Sequence, residues 1–567
     1  MIFTDFLTQL SGSQLSQSLY LLCGAGVVTS VVVASALYYI VPYLQDPKGI
    51  RQYPGPWLAK FSCLWFSREI FAARVQTSTK KLHERYGTFV RIGPNDISVC
   101  SPEALQTLYA HSPNALKSSL YDAFSPFGAS RSVFNTTSRG DHARKRKLLS
   151  HMMAAKSLQE ITPIIYDHER KFVNHWDEMC HSAVKGKGGT KGDCTWKADD
   201  GRAWFNAMPW FNYIAFDVIG DLAFGAPFGM LPAVKAETPV AESIEQAMNA
   251  FTSDDDAKAI QYLTINAIDT INRSSAFNSF IGSLPSWFRP HVMNLPFFKH
   301  KFGARKKLAA MAATAVSKRI NSVKPILRAD FLSKLLEGRD GNGEPMGKQE
   351  LSSEALSLLV GGSDTVANSS AAIIYYLAQN THIQRKLQAS LDAALGPPDF
   401  SLSVEDSIND VNLTKLKDCE YLNNTINEGH RLHSTIGFGL PRVVPEGGLV
   451  VCGQTFKEGT TISTPVFALH RMKEIWGEDA DLFNPERWER EDKSEMYRAF
   501  APFSIGPRAC LGRNLAQMEM QTFIGQLFHR YDVSLDSPDC KMKVHEAFVR
   551  KPESVYIGVK QRNVLST

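Results

Sequence analysis

The chain has 567 residues, and 44% of them are apolar. A compact domain rarely exceeds about 300 residues before a chain divides, so length alone favours two domains. The net charge of +5 comes from 62 basic and 57 acidic residues, a balance that argues against a general nucleic-acid-binding protein. Nine cysteines occur without a C-x-x-C pair, which disfavours zinc and disulfide frameworks and favours a reducing compartment.

The N-terminal segment predicts a membrane anchor. Residues 19–41 contain no charged side chain and, as a helix, would span about 35 Å, enough to cross a hydrocarbon core of about 30 Å. A cleaved signal peptide is the alternative, but the basic leader that it needs is missing. Basic residues follow the segment, so the rest of the chain is expected in the cytosol. The predicted parts are a tail at 1–18, the anchor at 19–41 and a proline-rich hinge at 42–57.

Helical patterns dominate the chain after the hinge. Strand-like runs occur at 87–92 and 450–456, and the Gly/Lys-rich stretch 184–192 predicts an exposed loop or linker. Two further loops are predicted at 338–347 and 396–398. The informative motifs run from about 140 to 512 and depend on one another. They therefore predict one large catalytic domain over 58–567 rather than two.

The most informative motif is Phe503-Ser-Ile-Gly-Pro-Arg-Ala-Cys510-Leu-Gly512. A cysteine just before a helix lies near amide donors and the positive end of the helix dipole, which favour the thiolate. Gly506 and Gly512 would let the loop approach a flat ligand closely, and Arg508 could reach an anionic group of that ligand. A buried structural cysteine is the commoner fate of a lone Cys, but this ten-residue pattern is too specific for it.

This motif resembles the haem loop of the cytochrome P-450 superfamily. The resemblance implies a mainly α fold with a smaller β region behind the N-terminal transmembrane helix. It also implies haem b, with Cys510 as the thiolate ligand of the iron and Phe503 and Gly506 in the loop around it. The expected partners of the haem propionates are Arg508, His142, Arg146 and Arg442.

A second constellation combines Glu428 and Arg431 with Arg487. The first two lie three residues apart on one helix face and could pair, which alone predicts an ordinary surface ion pair. The resemblance makes the three residues a buried structural triad beneath the cysteine loop.

The third motif is Gly361-Gly362-Ser363-Asp364-Thr365, within a helical pattern whose only Asp, Glu, Lys, Arg or His between 355 and 379 is Asp364. Two glycines weaken a helix by about 1 kcal/mol each relative to alanine, so they need a reason, such as room for a ligand. Asp364 and Thr365 could relay protons to bound dioxygen. The alternative is a polar cluster that caps a helix break.

A basic run surrounds the two predicted propionate partners on the helix 141–148. One interpretation of Arg144, Lys145 and Lys147 is a solvated charged face without a specific function. The other is a docking patch for an acidic electron-transfer partner. The predicted partner is a membrane-bound NADPH–cytochrome reductase at the endoplasmic reticulum, with a single-pass anchor and a cytosolic catalytic domain.

Within the superfamily, runs at 116–124, 210–231, 433–435 and 548–552 resemble the fungal benzoate para-hydroxylases. This implies a monooxygenase that uses O2 to hydroxylate a small aromatic substrate. The candidate substrate contacts are Ser118, Tyr121, Thr435 and Phe438. Ser119 departs from the acidic residue expected there, and the bulk of Ile436 and Phe438 leaves a larger secondary-metabolite intermediate open as the substrate. Two alternatives from other classes remain. A haem-thiolate isomerase or dehydratase would not need Asp364 and Thr365, and a haem-based sensor or binding protein would not need the basic docking face.

Overall fold

Helices make up most of the molecule in the computed structural model, which describes residues 12–111, 115–128, 130–322, 330–409 and 413–563. The α-helices are α1 Gly12–Gln45, α2 Leu64–Phe71, α3 Val75–Tyr86, α4 Pro102–Leu105, α5 Arg139–Ser150, α6 Ala155–Gln159, α7 Thr162–Val184, α8 Met208–Phe224, α9 Met230–Ala233, α10 Ile244–Asn249, α11 Asp254–Lys258, α12 Ala267–Ser283, α13 Arg289–Met293, α14 Pro296–Ile320, α15 Phe331–Leu336, α16 Lys348–Gln379, α17 Thr381–Leu395, α18 Val404–Asn409, α19 Leu413–Asp418, α20 Glu420–His433, α21 Val466–Leu469, α22 Lys473–Trp476, α23 Ser494–Ala499 and α24 Arg513–Arg530. Short 3-10 turns cover Trp57–Lys60, Ser119–Phe124, Pro485–Glu489 and Gly506–Arg508, and a π-helical turn covers Gln106–His111.

Within the described residues, the smaller β region consists of two five-stranded and three two-stranded sheets. The strands are β1 Phe89–Gly93, β2 Asp96–Val99, β3 Leu116–Lys117, β4 Gly189–Lys191, β5 Cys194–Asp199, β6 Arg202–Asn206, β7 Glu237–Ala241, β8 Tyr262–Asn266, β9 Arg442–Val443, β10 Leu449–Val451, β11 Gln454–Phe456, β12 Thr461–Ser463, β13 Tyr531–Ser534, β14 Val544–Glu546, β15 Arg550–Pro552 and β16 Tyr556–Gln561. One sheet has the order β1-β2-β12-β9-β3, with only β2 and β12 parallel. The other is antiparallel, in the order β13-β16-β6-β5-β4. The predicted class, mainly α with a smaller β region, is confirmed.

Helix α16 occupies the centre of the molecule and contacts α8, α14, α20 and α24. Most of its residues are buried, as expected for a helix that is apolar on nearly all sides. Gly362 is required where α16 meets α8, because a Cβ there would lie 2.5 Å from Cγ1 of Ile219. The helix runs through both glycines without a break, so the Ser-Asp-Thr cluster does not cap a helix break.

Several local predictions can be compared directly with the structure. The strand predicted at 87–92 is confirmed as β1, and 396–398 is a loop. The run 450–456 is not one strand but the hairpin β10–β11, which turns at Cys452 and Gly453, both with positive φ. The loop predicted at 184–192 is also wrong in part, since Gly189–Lys191 forms β4 and pairs with β5.

The N-terminal helix is longer than the predicted anchor. It spans Gly12–Gln45 and continues through Pro42, so residues 42–45 of the predicted hinge are helical. Within the described ranges, no helix meets the combined length and hydropathy needed to cross a membrane, and the anchor at 19–41 stays a prediction. Residues 1–11 of the predicted tail lie outside the described residues.

Candidate active site

The loop that carries Cys510 is closed by its own backbone hydrogen bonds. The Cys510 amide donates to the Phe503 carbonyl at 2.8 Å, and the Ala509 amide donates to the Gly506 carbonyl at 3.0 Å. Helix α24 begins at Arg513, with Gly512 as its N-cap, so Cys510 lies just before the positive end of the helix dipole. This is the position that the sequence predicts.

The two loop glycines have different roles. Gly506 has a φ of +72°, and a Cβ there would lie 2.1 Å from the carbonyl oxygen of Tyr109. A close backbone approach therefore requires glycine here, and the expected approach of this residue to a flat ligand stays a prediction. Gly512 borders an internal cavity, and a Cβ added to it would meet no atom within 4 Å.

The Cys510 side chain opens into that cavity. Burial raises the pKa of its thiol, while a hydrogen bond from the Gly512 amide and the charges of Arg146 and Arg513 lower it by less. The Gly512 amide and the neighbouring cations thus favour the thiolate, as the sequence predicts, against the larger opposite effect of burial. A coordinated metal ion would supply the missing stabilisation, because binding to a metal deprotonates a thiol.

The cavity has a volume of about 370 Å³ and lies between α16 and the cysteine loop, with α5 and α12 at its sides. The predicted site residues that line it are Tyr121, His142, Arg146, Asp364, Thr365, Thr435, Arg442, Phe503, Arg508 and Cys510. The fold thus brings together ten residues that lie far apart in the sequence.

Four buried or half-buried cations line the cavity: Lys117, Arg146, Arg442 and Arg508. Among the described residues, no carboxylate lies within ion-pairing distance of any of them. Arg146 donates to the Ala509 carbonyl at 2.7 Å, and Arg508 to the Thr136 carbonyl at 2.9 Å. A cluster of cations that bind only neutral oxygens fits an anionic ligand.

Burial and the charges of this cluster lower the pKa values of several residues that line the cavity. Burial, followed by the charge of Arg442, lowers the pKa of Arg508 to about 10. Burial and the charges of Arg442 and Arg508 lower the pKa of Lys117 well below its ordinary value. Burial and the charges of Arg508, Lys117 and Arg146 lower the pKa of His142 to about 3, which makes it a neutral imidazole near pH 7.

Lys117 is a site residue that the sequence analysis missed. Its ammonium donates to the Phe134 carbonyl and lies 4.6 Å from the ring centroid of Tyr121 and 5.0 Å from that of Phe134. It stands within the run 116–124, whose likeness to the benzoate para-hydroxylases pointed to this segment but gave Lys117 no role.

On α16, Gly361, Asp364 and Thr365 face the cavity. The Thr365 hydroxyl donates to the Gly361 carbonyl at 2.7 Å. Asp364 lies 2.7 Å from the ammonium of Lys551, a partner that the sequence did not predict. The pair therefore occupies the wall expected for it, although its acid is already engaged by a cation.

The structural triad forms as predicted and is larger than predicted. Glu428 accepts hydrogen bonds from Arg431 at 2.8 and 2.9 Å and from Arg487 at 2.9 Å. The Trp488 indole adds a bond of 3.1 Å to the same carboxylate. Asp479 lies 2.9 Å from Arg487 as a second acid. Two buried guanidinium groups thus face two carboxylates, which balances the charge.

Comparisons with known proteins agree with this geometry. The sequence model of the cytochrome P-450 family matches residues 52–559. The chain belongs to the cytochrome P-450 family. It is 36% identical to benzoate 4-monooxygenase bphA of Aspergillus niger, over 93% of this chain and 95% of that protein. It is 28% identical to cytochrome P-450 monooxygenase ORF11 of Penicillium roqueforti, over 90% of this chain and 94% of that protein. It is also 28% identical to cytochrome P-450 monooxygenase traB of Penicillium crustosum, over 91% of this chain and 92% of that protein.

The residues of this P-450 fit the cofactor of its family, a haem whose iron takes a cysteine as axial ligand. Cys510 is the cysteine that opens into the cavity, and the four unpaired cations match the negative charge of two propionates. Gly361 and Gly512, where a Cβ would meet open space, leave room on both walls. Lys117, Arg146, Arg442 and Arg508 would hold the propionates.

The predicted substrate contacts divide into two groups. Tyr121 and Thr435 line the cavity, and the Thr435 hydroxyl lies 2.8 Å from that of Ser369. Ser118 instead caps the 3-10 turn that follows it, and Phe438 packs against Phe548 with ring centroids 5.6 Å apart. These two residues border a separate cavity near α1.

The basic run on α5 of this P-450 does not form the predicted docking patch. Lys145 is 2% exposed and forms ion pairs with Glu350 and Glu354. Arg144 lies 2.6 Å from Asp141 and also contacts Glu350. Of the three predicted docking residues only Lys147 is exposed, so most of the run neutralises internal carboxylates.

Proposed function

We propose that this P-450 hydroxylates a small aromatic carboxylic acid on its ring, with benzoate as the compound to test first. One aromatic C–H bond, one O2, one NADPH and one proton would give a ring hydroxyl group, one water and NADP⁺. Bound haem would supply the iron at which dioxygen is activated. The residues of the chain would position the ring, exclude water and hold the protons.

A cluster of four aromatic side chains in the cavity is the observation that carries this proposal. Tyr121, Phe124, Phe134 and Phe548 all line the cavity, and their ring centroids lie between 5.0 and 6.3 Å apart. Most of these contacts are edge-to-face. Rings prefer this geometry, so an aromatic substrate could join the cluster as a further member.

Asn278 on α12 supports a polar group on that substrate. It lines the cavity and is 8% exposed, and its Oδ1 atom has no hydrogen-bond partner among the residues that the structure describes. Its Nδ2 atom lies 3.5 Å from the Ser274 hydroxyl. An unsatisfied buried polar atom costs about 1–3 kcal/mol, which a ligand could recover. Because an amide can rotate to exchange its oxygen and nitrogen, Asn278 could donate to a carboxylate or accept from a carboxylic acid.

This placement would also determine which carbon reacts. A carboxyl group held at Asn278 fixes the long axis of the ring and presents the opposite carbon to the iron. Positioning of this kind supplies much of an enzyme's rate advantage.

A titration of the haem spectrum tests the proposal. Benzoate should shift the haem from low spin to high spin and then give a para-hydroxylated product with O2, NADPH and a reductase. Methyl benzoate and naphthoic acid test the carboxyl group and the ring size. Asn278→Leu should weaken benzoate binding about 10-fold, which corresponds to a loss of about 1.4 kcal/mol of binding free energy. The same change should weaken binding of the ester less. A response to the ester without any response to benzoate would refute the carboxylate substrate, and a response to naphthoate alone would refute the single small ring.

We further propose that the chain is anchored in the endoplasmic reticulum membrane by residues 19–41 and receives electrons from a membrane-bound NADPH reductase. The exposed apolar side chains Val27, Val28, Val33 and Leu37 support an apolar environment for α1. Trp287 is also exposed and donates to the Tyr38 hydroxyl at 3.1 Å. Deletion of residues 1–45 should release the chain from carbonate-washed membranes. If the full chain were extracted equally well, residues 19–41 would not be the anchor.

A further inference from the structure

Asp364, the predicted proton-relay acid, is held by a buried lysine. The Lys551 ammonium lies 2.8 Å from Oδ1 and 2.7 Å from Oδ2 of Asp364. Asp364 is 4% exposed and Lys551 is 8% exposed. A carboxylate buried to this degree needs a counter-charge, and Lys551 is the cation that supplies it.

Lys551 also joins three elements. It belongs to β15, Asp364 belongs to α16, and the same ammonium donates to Oδ1 of Asn272 on α12 at 2.7 Å. An ammonium has three donors, and the two partners engage it from two different helices. Its direction and that of the Asp364 carboxylate are therefore fixed jointly by these three elements.

Each of the three elements also borders the cavity. Phe548 and Val549 of the β14–β15 hairpin line it just before Lys551, and Ile271 of α12 lines it next to Asn272. Lys551 itself does not line the cavity. It therefore lies behind the walls that would contact the substrate and is bound to the acid that would serve the oxygen chemistry.

We infer that Lys551 is a positioning residue for proton delivery, which fixes the direction of the Asp364 carboxylate by tying it to the β14–β15 hairpin and to α12. This inference rests on the proposed monooxygenase function. Each hydroxylation consumes two protons as dioxygen is reduced to one water and one hydroxyl group. If the protons arrive inefficiently, electrons from NADPH are diverted to hydrogen peroxide. Without Lys551, the buried Asp364 side chain would lose its counter-charge and its fixed direction.

The test compares Lys551→Met, Lys551→Arg and the matched control Lys543→Met, which removes an exposed lysine close to the same hairpin. Lys551→Met should lower the product formed per NADPH by about 10-fold, less than the roughly 100-fold that loss of a whole proton-transfer group costs. The carbon monoxide spectrum and substrate affinity should stay unchanged. Lys551→Arg should restore most of the coupling, and Lys543→Met should match the wild type.

Two further measurements separate this role from a purely structural one. The Lys551→Met change should have no additional effect on coupling in an Asp364→Asn background, because the lysine would act through that carboxylate. Hydrogen exchange, which needs no substrate, should become faster at residues 544–552 in Lys551→Met.

Normal coupling in Lys551→Met, or effects that multiply in the double variant, would overturn the inference. If Lys551→Met fails to load haem, Lys551→Gln takes its place, and failure of both would make Lys551 a folding residue and overturn the inference as well. A wild-type protein that neither binds nor converts benzoate would instead refute the proposed substrate. Peroxide formed per NADPH with any compound that shifts the spin state would still test Lys551.

Discussion

Replacement of Lys117 by Met should have opposite effects on haem retention and on the stability of the haem-free protein. In the haem-bound protein, Lys117 would donate to a propionate. A hydrogen bond to a charged group contributes about 1.5–3 kcal/mol, so its loss should speed haem release about 10- to 150-fold. In the haem-free protein, burial and the charges of Arg442 and Arg508 lower the pKa of Lys117. We expect this desolvation and repulsion to outweigh the hydrogen bond of Lys117 to the Phe134 carbonyl and its contacts with two rings.

The sign of the pH dependence follows from that lowered pKa. At Lys117 the unfolded chain binds more protons than the folded haem-free chain, so the free energy of unfolding rises with pH between the lowered pKa and the ordinary value of 10.5. Lys117→Met should abolish this contribution and make the haem-free protein more stable at pH 7 than the wild type. Urea unfolding at pH 7 and pH 9 measures both effects.

Transfer of haem to an excess of an apo-globin acceptor measures retention. Lys147→Met is the matched control, because Lys147 lies on α5 but is exposed. Lys117→Arg keeps the charge and should retain haem better than Lys117→Met. Release of haem at the wild-type rate from Lys117→Met, together with an unchanged stability of the haem-free chain, would show that Lys117 is not a propionate partner.

Three further outcomes follow from the site. Cys510→Ser should lose the reduced carbon monoxide band of haem-thiolate proteins, because an alcohol cannot replace the electron donation of the thiolate; a retained band would exclude Cys510 as the ligand. Thr365→Ala should keep its haem but divert electrons to peroxide, and normal coupling in oxygen-uptake measurements would leave Thr365 a passive wall residue. Arg487→Met should lower the free energy of unfolding by about 3–5 kcal/mol, because it leaves Glu428 and Asp479 short of a buried cation; a chemical denaturation curve like that of the wild type would contradict this.

The sequence was sufficient where a local motif determines the chemistry. The cysteine loop is a single run of ten residues, and its position before α24 follows from that run alone. The triad could also be predicted, because Glu428 and Arg431 share one helix turn and the family resemblance supplied Arg487. In both cases the prediction needed no knowledge of which distant elements meet.

Predictions failed where a charge finds its partner far along the chain. Lys145 was interpreted as a docking residue, but its carboxylate partners Glu350 and Glu354 lie on α16, more than 200 residues away. Asp364 was interpreted as a free acid, but Lys551 follows it by 187 residues. The sequence around a charge run or a lone acid does not indicate which distant residue pairs with it. The burial of these charged groups could therefore not be inferred from the sequence.

The direction of individual side chains was the other feature that could not be predicted from the sequence. Ser118 caps the 3-10 turn that contains Tyr121, yet only Tyr121 lines the main cavity. Phe438 was expected to touch the substrate, but Phe548 lines the main cavity and Phe438 packs against it. A segment can therefore be assigned to a pocket from its sequence, while the residue of that segment that faces the pocket depends on the turn geometry and on the neighbouring elements.

Two electrostatic features destabilise this site, and one ligand would relieve both of them. The unpaired cations destabilise the cavity through repulsion and desolvation, and burial raises the pKa of the Cys510 thiol. A haem would meet both needs at once, since its propionates neutralise the cations and its iron stabilises the thiolate. Because neither need is met within the described part of the chain, binding of the cofactor and stability of this region should be strongly coupled. The destabilised pocket is thus the physical basis for retaining a cofactor that is held by only one coordinate bond from the protein.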